Sequence, residues 1–457
     1  MKKSAPQSQS NFRLVAVIIL TLFTVALALL PGPKPNAVLG RWNYLQFYLV
    51  VLFGFATLVA FVFLFLSVTR RRTVGFRLAS VTGSFLFVLL GFEAVAWLLP
   101  VRATMDNPWY LLPGLGGVSQ SDGLPYGRPA HISWTGLSRG DLALLNHDDD
   151  PHARLVTFQT DRDGFRNSKE ITQADVVMIG DSFTEAGNIP EEQTFSFLLG
   201  QKLGRPVRNL GRSGYSTPTE FIVLQKFGLP CGPKVVVWQV TECNDLADVV
   251  DYEEWQRLGR PNYFDFAAQD QRSRSDAWRG RSLTYQLFNQ FRQRDLNPWP
   301  FTGYFRLADG REEMIRFLSS PGLGAPARGH PAWESFSRPL AEAASLCRSN
   351  GIQLLVVHIP DKFRVLGPRT RFALEIAAAS AQLAGVPPET ALGACLQEFC
   401  AAQQINFVDA TAALQQEANA GQLVYQAFDT HLAPLGHQTV ADLIATALKK
   451  SELLPAR

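Results

Sequence analysis

The sequence predicts an α/β protein: a parallel sheet covered by helices on both faces, preceded by apolar transmembrane helices. Three observations predict it. Long runs without charge fill the first hundred residues. After them, short apolar runs alternate with stretches of helical spacing, the pattern of a three-layer parallel sheet. The 457 residues are 47% hydrophobic and 18% charged, enough for a large core and too apolar for a disordered chain. At roughly 150 residues per domain, the length allows two or three units. The net charge of +3, from 43 Lys and Arg against 40 Asp and Glu, excludes a protein built mainly to hold nucleic acid.

The membrane region is residues 1–102. Residues 14–30 are apolar with only Thr as relief, residues 45–68 carry no charge, and residues 78–101 carry only Glu93. Each is close to the length that crosses a bilayer core of about 30 Å. Lys2, Lys3 and Arg13 precede the first run, and Arg70, Arg71, Arg72 and Arg77 separate the second from the third. The loop between the first and second holds only Lys34 and Arg41. The start and the Arg-rich loop are therefore expected in the cytoplasm, and everything after Arg102 outside it. This places a multi-pass protein in the cytoplasmic (inner) membrane, its main domain on the periplasmic or extracellular side. The first run also reads as a cleaved signal peptide, which leaves the location of that domain unchanged. Glu93 is either a functional intramembrane charge or a residue near enough to the outer end to meet water.

Residues 103–172 read as an irregular lead-in, rich in Pro and Gly. Within it, His147-Asp148-Asp149-Asp150-Pro151-His152 offers metal-type ligands but no second cluster to complete a site, so it reads as a solvated turn. Residues 173–457 read as the α/β domain. Strands are expected at 176–179, 207–210, 235–240, 352–358 and 405–408. Helices are expected at 191–203, 218–227, 371–383 and 434–449. Residues 246–333 interrupt the alternation. They hold Arg257, Arg260, Arg272, Arg274, Arg279, Arg281, Arg292 and Arg294, with Trp255, Trp278, Trp299 and Trp333. That insertion reads as a solvated face over a small core, or as a cover that stacks on sugars.

Ligands of parallel sheets sit at the carboxyl ends of the strands, so the residues just after each strand are informative. Gly180-Asp181-Ser182-Phe183-Thr184 follows the first strand, and Asn209-Leu210-Gly211-Arg212-Ser213-Gly214 the second. Glu242-Cys243-Asn244-Asp245 follows the third, and Asp429-Thr430-His431 precedes the last helix. A serine hydroxyl is a weak nucleophile until a base takes its proton, and His431 is the candidate base. Asp429, two residues away, can set the imidazole tautomer and stabilise its charged form. An oxyanion needs donors fixed in advance, and the Ser182 N–H, the Gly214 N–H and the Asn244 amide are the candidates. Each residue also has a plainer reading. Ser182 could cap a helix, His431 could be a surface histidine, and Asn244 with Asp245 could form a turn. Asp181 and Asp245 read as supports, and His437, inside the last helix, as structural. Lys362 either reaches an anionic substrate or is solvated.

This set resembles the SGNH, or GDSL, hydrolase family over residues 163–449, with Gly164-Phe165-Arg166-Asn167 placed ahead of the nucleophile block. The resemblance implies a flavodoxin-like three-layer fold and a serine ester hydrolase, with Ser182, Asp429 and His431 catalytic. Ser182, Gly214 and Asn244 then form the oxyanion hole. Two departures stand out. Glu242 takes the place of a glycine in the third block, and the last block is Asp-x-His rather than Asp-x-x-His. The shorter spacing, and Ile359-Pro360-Asp361-Lys362, resemble the alginate O-acetyltransferase-like relatives, in which the Asp and His precede the Ser. The implied substrate is an O-acylated small molecule or polysaccharide, attacked as ester or used for acyl transfer to envelope or exopolysaccharide sugars. The partners are then the lipid bilayer and, for transfer, an acyl donor in the membrane, with no nucleic acid. A non-catalytic glycan-binding module is the rival reading.

Five cysteines, Cys231, Cys243, Cys347, Cys395 and Cys400, fall after residue 102, where pairing is allowed, and Cys395 with Cys400 is the candidate pair. No Cys-x-x-Cys and no phosphate-loop signature occurs, so no metal and no cofactor is expected.

Overall fold

A computed structural model describes residues 123–138, 140–145, 150–260, 301–318, 327–372 and 391–454, with scattered positions between 18 and 91. The chain divides into two units, one built on residues 1–102 and the other on 103–273 and 299–457. In the first, the described positions are helical and include Ile18, Ile19, Leu22, Val25 and Phe87, all exposed. Among the described residues no helix is long and apolar enough to cross a membrane. Most of the three apolar runs, and Glu93, lie outside the described residues.

The second unit is built on a five-stranded parallel sheet. Its strands are β3 (Val176–Ile179), β4 (Val207–Asn209), β5 (Val235–Thr241), β8 (Gln353–Ile359) and β10 (Asn406–Asp409), in the order β10-β8-β5-β3-β4. Every pairing is parallel. Side chains alternate across a strand, so each strand feeds two cores. Val176, Met178, Val235, Val237, Leu355 and Val357 face one core; Val177, Ile179, Val236, Trp238, Leu354 and Val356 face the other. The first is closed by α3 (Phe195–Leu203), α9 (Thr411–Asn419) and α10 (Pro434–Lys450). The second is closed by α4 (Thr217–Val223), α6 (Trp333–Ser349) and α8 (Leu392–Ala402). Burial on both faces explains the unbroken Val/Ile/Leu strands.

Two expectations of secondary structure need correction. The lead-in read as irregular carries an antiparallel pair, β1 (Ser133–Ser138) with β2 (Arg154–Gln159), and a short helix between them, α1 (Asp141–Leu145). The helix expected at 371–383 does not begin there. Arg371 and Phe372 lie in β9 (Thr370–Phe372), which joins β6 (Phe301–Arg306) and β7 (Glu312–Phe317) in a second, antiparallel sheet. Residues 373–383 lie outside the described residues. Pairing with β6 overrides the local helical spacing, because Phe372 packs on Phe317 and Phe363.

Cys395 and Cys400 are not bridged. They lie on one helix, five residues and so roughly 7.5 Å of rise apart, beyond ordinary disulfide reach. The described part of the insertion carries exposed charges, Arg257 and Arg260 among them, over a small buried cluster of Tyr252 and Trp255. Trp255 is buried on α5 (Asp245–Arg257), and Phe305, Ile315 and Phe317 join the first core. Arg272, Arg274, Arg279, Arg281, Arg292, Arg294, Trp278 and Trp299 lie outside the described residues.

Candidate active site

The site forms where β3 ends. Gly180 leaves no room for a side chain, since an added Cβ would collide with Gln239 and Thr184, which hydrogen-bond across it at 2.7 Å. Asp181 caps the short helix α2 (Ser182–Glu185): its Oδ1 accepts the Phe183 N–H at 2.9 Å. The capping task therefore falls to Asp181, not to Ser182. Ser182 occupies the first helical position, half-buried, and its own N–H has no intrahelical acceptor.

Ser182, His431 and Asp429 converge. His431 Nε2 lies 2.8 Å from Ser182 Oγ, and His431 Nδ1 lies 2.6 Å from Asp429 Oδ1. The Asp-x-His spacing closes as a tight turn, because the same Asp429 oxygen also accepts the His431 backbone N–H at 2.8 Å. Burial disfavours a charged Asp429, but the imidazole and its hydrogen bonds outweigh this and hold the carboxyl at about 2. Burial lowers the His431 pKa; Asp429, then Asp141 and Asp181, outweigh it and lift the imidazole to about 9. His431 is thus a strengthened base.

The sequence reading missed Asp141, which stands beside this pair on α1. Its Oδ1 accepts the Thr430 N–H at 2.8 Å, and its Oδ2 accepts the Thr430 hydroxyl. Asp141, Asp429 and His431 are also the one group among the described residues with metal-ligand spacing, their atoms within 4.8 Å of one another. Both ring nitrogens of His431 are engaged there by Asp429 and Ser182. No motif marks Asp141, because it approaches from the lead-in, 288 residues before Asp429.

The glycine block follows β4. The Arg212 N–H donates to Gly180 O at 3.0 Å, which ties this loop to the nucleophile turn. Gly214 has φ +71°, a conformation that favours glycine. Glu185, buried on α2, pairs with Arg128 at 2.6 Å and Arg212 at 3.2 Å and accepts the Ser213 N–H at 3.3 Å. The Gly-Phe-Arg-Asn stretch serves the same frame. Arg166 donates to the carbonyls of Glu185, Ala186 and Ile189, and Asn167 exchanges two hydrogen bonds with the Asn209 backbone.

The Asn244 amide donates to Asp248 at 2.7 Å and to Asp181 at 3.3 Å, so both its N–H groups face carboxylates. As an oxyanion donor it must release one of them. Cys243 Sγ donates to the side-chain Oδ1 of Asn244 at 3.0 Å. Asp245 accepts the Thr241 N–H at 2.9 Å and holds the β5–α5 turn. Glu242, in the place of a glycine, pairs with Arg364 at 2.6 Å and accepts the Asp361 N–H at 3.0 Å, joining the ends of β5 and β8.

Lys362 corrects another expectation. It neither reaches a substrate nor is solvated. It is buried and donates to the carbonyls of Gln426, Ala427 and Asp429 at 2.6, 3.0 and 2.9 Å. Burial lowers its ammonium to about 7 against the pull of Asp429, Asp141 and Asp361. His437 is buried on α10, accepts the Phe195 N–H at 3.2 Å, and is pushed by burial down to about 3. Pro151 and His152 form an exposed turn, as expected, and Asp150 accepts the N–H groups of Gly140 and His152, each at 2.8 Å. His147, Asp148 and Asp149 lie outside the described residues.

Residues 325–457 match the family model of the SGNH hydrolase-like domain of acetyltransferase AlgX. The carboxyl-terminal part of this chain is SGNH hydrolase-like. The matched stretch holds Asp429 and His431, and the Ser182 block precedes it. Among solved structures, the lipase/acylhydrolase from Enterococcus faecalis is similar at 15% identity, over 62% of this chain and 98% of that one, with a TM-score of 0.30. A catalytic variant of Axe2, an acetylxylan esterase from Geobacillus stearothermophilus, is similar at 13% identity, over 63% and 100%, with a TM-score of 0.31. A GDSL-like lipase from Bacteroides thetaiotaomicron is similar at 14% identity, over 60% and 88%, with a TM-score of 0.28. No curated protein matches the chain. The SGNH-like match, with a Ser182–His431–Asp429 relay at hydrogen-bond distances, makes the chain a serine esterase or an O-acyltransferase.

Proposed function

We propose that this chain is a membrane-anchored SGNH-type serine ester hydrolase that acts outside the cytoplasm on O-acylated carbohydrate. The observation that carries the chemistry is the 2.8 Å contact between Ser182 Oγ and His431 Nε2, with Nδ1 held by Asp429. His431 takes the Ser182 proton as Oγ bonds to the acyl carbon, and the carbonyl electrons move onto the oxygen. The Ser182 and Gly214 N–H groups, with the Asn244 amide once released, receive that charge. Collapse expels the alkoxide, which takes the proton from His431 and leaves an acyl ester on Ser182. Water, deprotonated by His431, then attacks the ester; the acid leaves and Ser182 regains its proton.

A second reading replaces water with a sugar hydroxyl, which makes the reaction O-acyl transfer to envelope or exopolysaccharide, fed by an acyl donor in the membrane. The match to a domain of an acetyltransferase favours it. The anchor is supported by the uncharged runs and by Ile18, Ile19, Leu22 and Val25, which follow helical spacing and are exposed. A carbohydrate substrate rests on the resemblance of Asp429-Thr430-His431 and Ile359-Pro360-Asp361-Lys362 to the alginate O-acetyltransferase-like relatives.

The experiment is hydrolysis of p-nitrophenyl acetate by the full-length chain beside Ser182→Ala. The variant is expected to lose at least about a thousand-fold in kcat/KM. Equal rates would leave the glycan-binding reading. With an acetylated donor and an oligosaccharide acceptor, mass spectrometry separates acetylated acceptor from free acetate and so separates transfer from hydrolysis.

A further inference from the structure

Asp141 contributes to no step described so far, yet the chain goes to some length to place it. Gly140, just before it, approaches Phe428 O so closely that an added Cβ would collide with it. The N–H groups of Leu142 and Ala143 both donate to that same carbonyl at 3.1 Å. The Asp141 N–H donates to Asp429 Oδ2 at 3.2 Å, which fixes the carboxylate oxygen that the imidazole does not use. In return, the Asp141 carboxylate holds both the N–H and the hydroxyl of Thr430, the residue between Asp429 and His431. Its Oδ2 lies 3.9 Å from His431 Nδ1. The start of α1 and the Asp-Thr-His turn are thus interlocked through four residues on each side.

We propose that Asp141 is a positioning residue of the triad, which orients Asp429 and sets the base strength of His431 with a second negative charge beside its Nδ1 edge. The proposal deepens the serine-ester reading and rests on it. The charges that face His431 are Asp429 and Asp141 on the Nδ1 side and Asp181 from the end of β3. Lys362, behind the turn, feels the Asp429, Asp141, Asp361 and Asp150 carboxylates and donates to the Asp429 backbone carbonyl, while Asp150, on the lead-in, accepts the Gly140 N–H. His437, on α10, is held neutral by burial. A charge within about 4–6 Å shifts a pKa by about one unit or more when shielded from water. The Asp141 side chain is 40% exposed, so solvent screens part of this.

The test labels histidine at Cε1 with carbon-13 in the full-length chain and follows the His431 signal with pH, identified by its loss in His431→Gln. Asp141→Asn keeps an acceptor for the Thr430 N–H and removes the charge. It is expected to lower the His431 midpoint by about half a pH unit or more. The acid limb of kcat/KM for p-nitrophenyl acetate should move down by the same amount. Thr430→Ser, which keeps both carboxylates and the hydroxyl beside His431 Nδ1, should leave the midpoint in place. Coincident midpoints in wild type and Asp141→Asn would overturn the proposal, and so would an equal shift in Thr430→Ser. Ser182→Ala separates the two claims: undiminished hydrolysis there defeats the serine-ester reading, while the His431 titration still decides the role of Asp141.

Discussion

His431 is a stronger base than a free histidine, and that has a direction in pH. The imidazole accepts the Ser182 proton only when neutral, and its carboxylate neighbours keep it protonated up to about 9. Activity should therefore climb from neutral into alkaline pH, with a midpoint well above the ordinary histidine value of about 6.5. A pH profile of kcat/KM checks this, and a midpoint at or below that value would contradict it. Asp429→Asn removes the main stabiliser of the imidazolium and should cost roughly a thousand- to ten-thousand-fold in kcat. At this scale the sequence was informative about Ser182, Asp429 and His431, because strand ends and spacing mark them. It was silent on Asp141, whose placement depends on a segment with no motif. It was ambiguous on Lys362, because a lysine that satisfies three carbonyls and one in water look alike in a string of letters.

Two elements govern how firmly the machinery is held. The turn from Gln426 to His431 is closed at its base by the Gln426 N–H to His431 O bond, and Lys362 at the start of α7 (Lys362–Leu366) gathers three of its carbonyls. Lys362→Met leaves those acceptors unpaired beside Phe317. It should lower the unfolding free energy by roughly 2–4 kcal/mol and reduce kcat more than KM, as urea titration and steady-state kinetics would show. On the opposite side, Glu185 ties α2 to the glycine loop, and its carboxyl sits at about 2 because Arg128 and Arg212 outweigh its burial. A depressed carboxylate stabilises the fold above its unfolded pKa of about 4.5 and loses that contribution as pH falls toward 2. The contribution is roughly 3 kcal/mol. Glu185→Gln should abolish this part of the acid sensitivity while lowering stability at neutral pH by roughly 3–5 kcal/mol, since Arg128 and Arg212 lose the carboxylate they both face. The central strands were legible because burial on both faces gives unbroken apolar runs. β9 was not, because a three-residue strand is defined by its partner β6 rather than by its own sequence.

For the whole molecule, the arginine distribution predicts that the α/β unit leaves the cytoplasm. A carboxyl-terminal alkaline phosphatase fusion should be active and the matching fusion to a cytoplasm-dependent reporter dark; the reverse result would refute the orientation. Cell fractionation should place the protein with the inner membrane, and release by salt alone would count against the anchor. The two-core arrangement was legible from the alternation of strand and helix. The second sheet was not, because β6 and β7 come from a stretch whose composition resembles a loop.

Ser182 and His431 are 249 residues apart in the chain, yet they share a hydrogen bond. A ribosome must therefore add 249 residues after the serine before the hydroxyl meets its base. Until then the serine is as inert as any other. Such distant pairing also slows folding, since the intervening loop must close before the contact forms. Shortening the protein from its carboxyl end should extinguish turnover well before it erases the strands that carry the nucleophile.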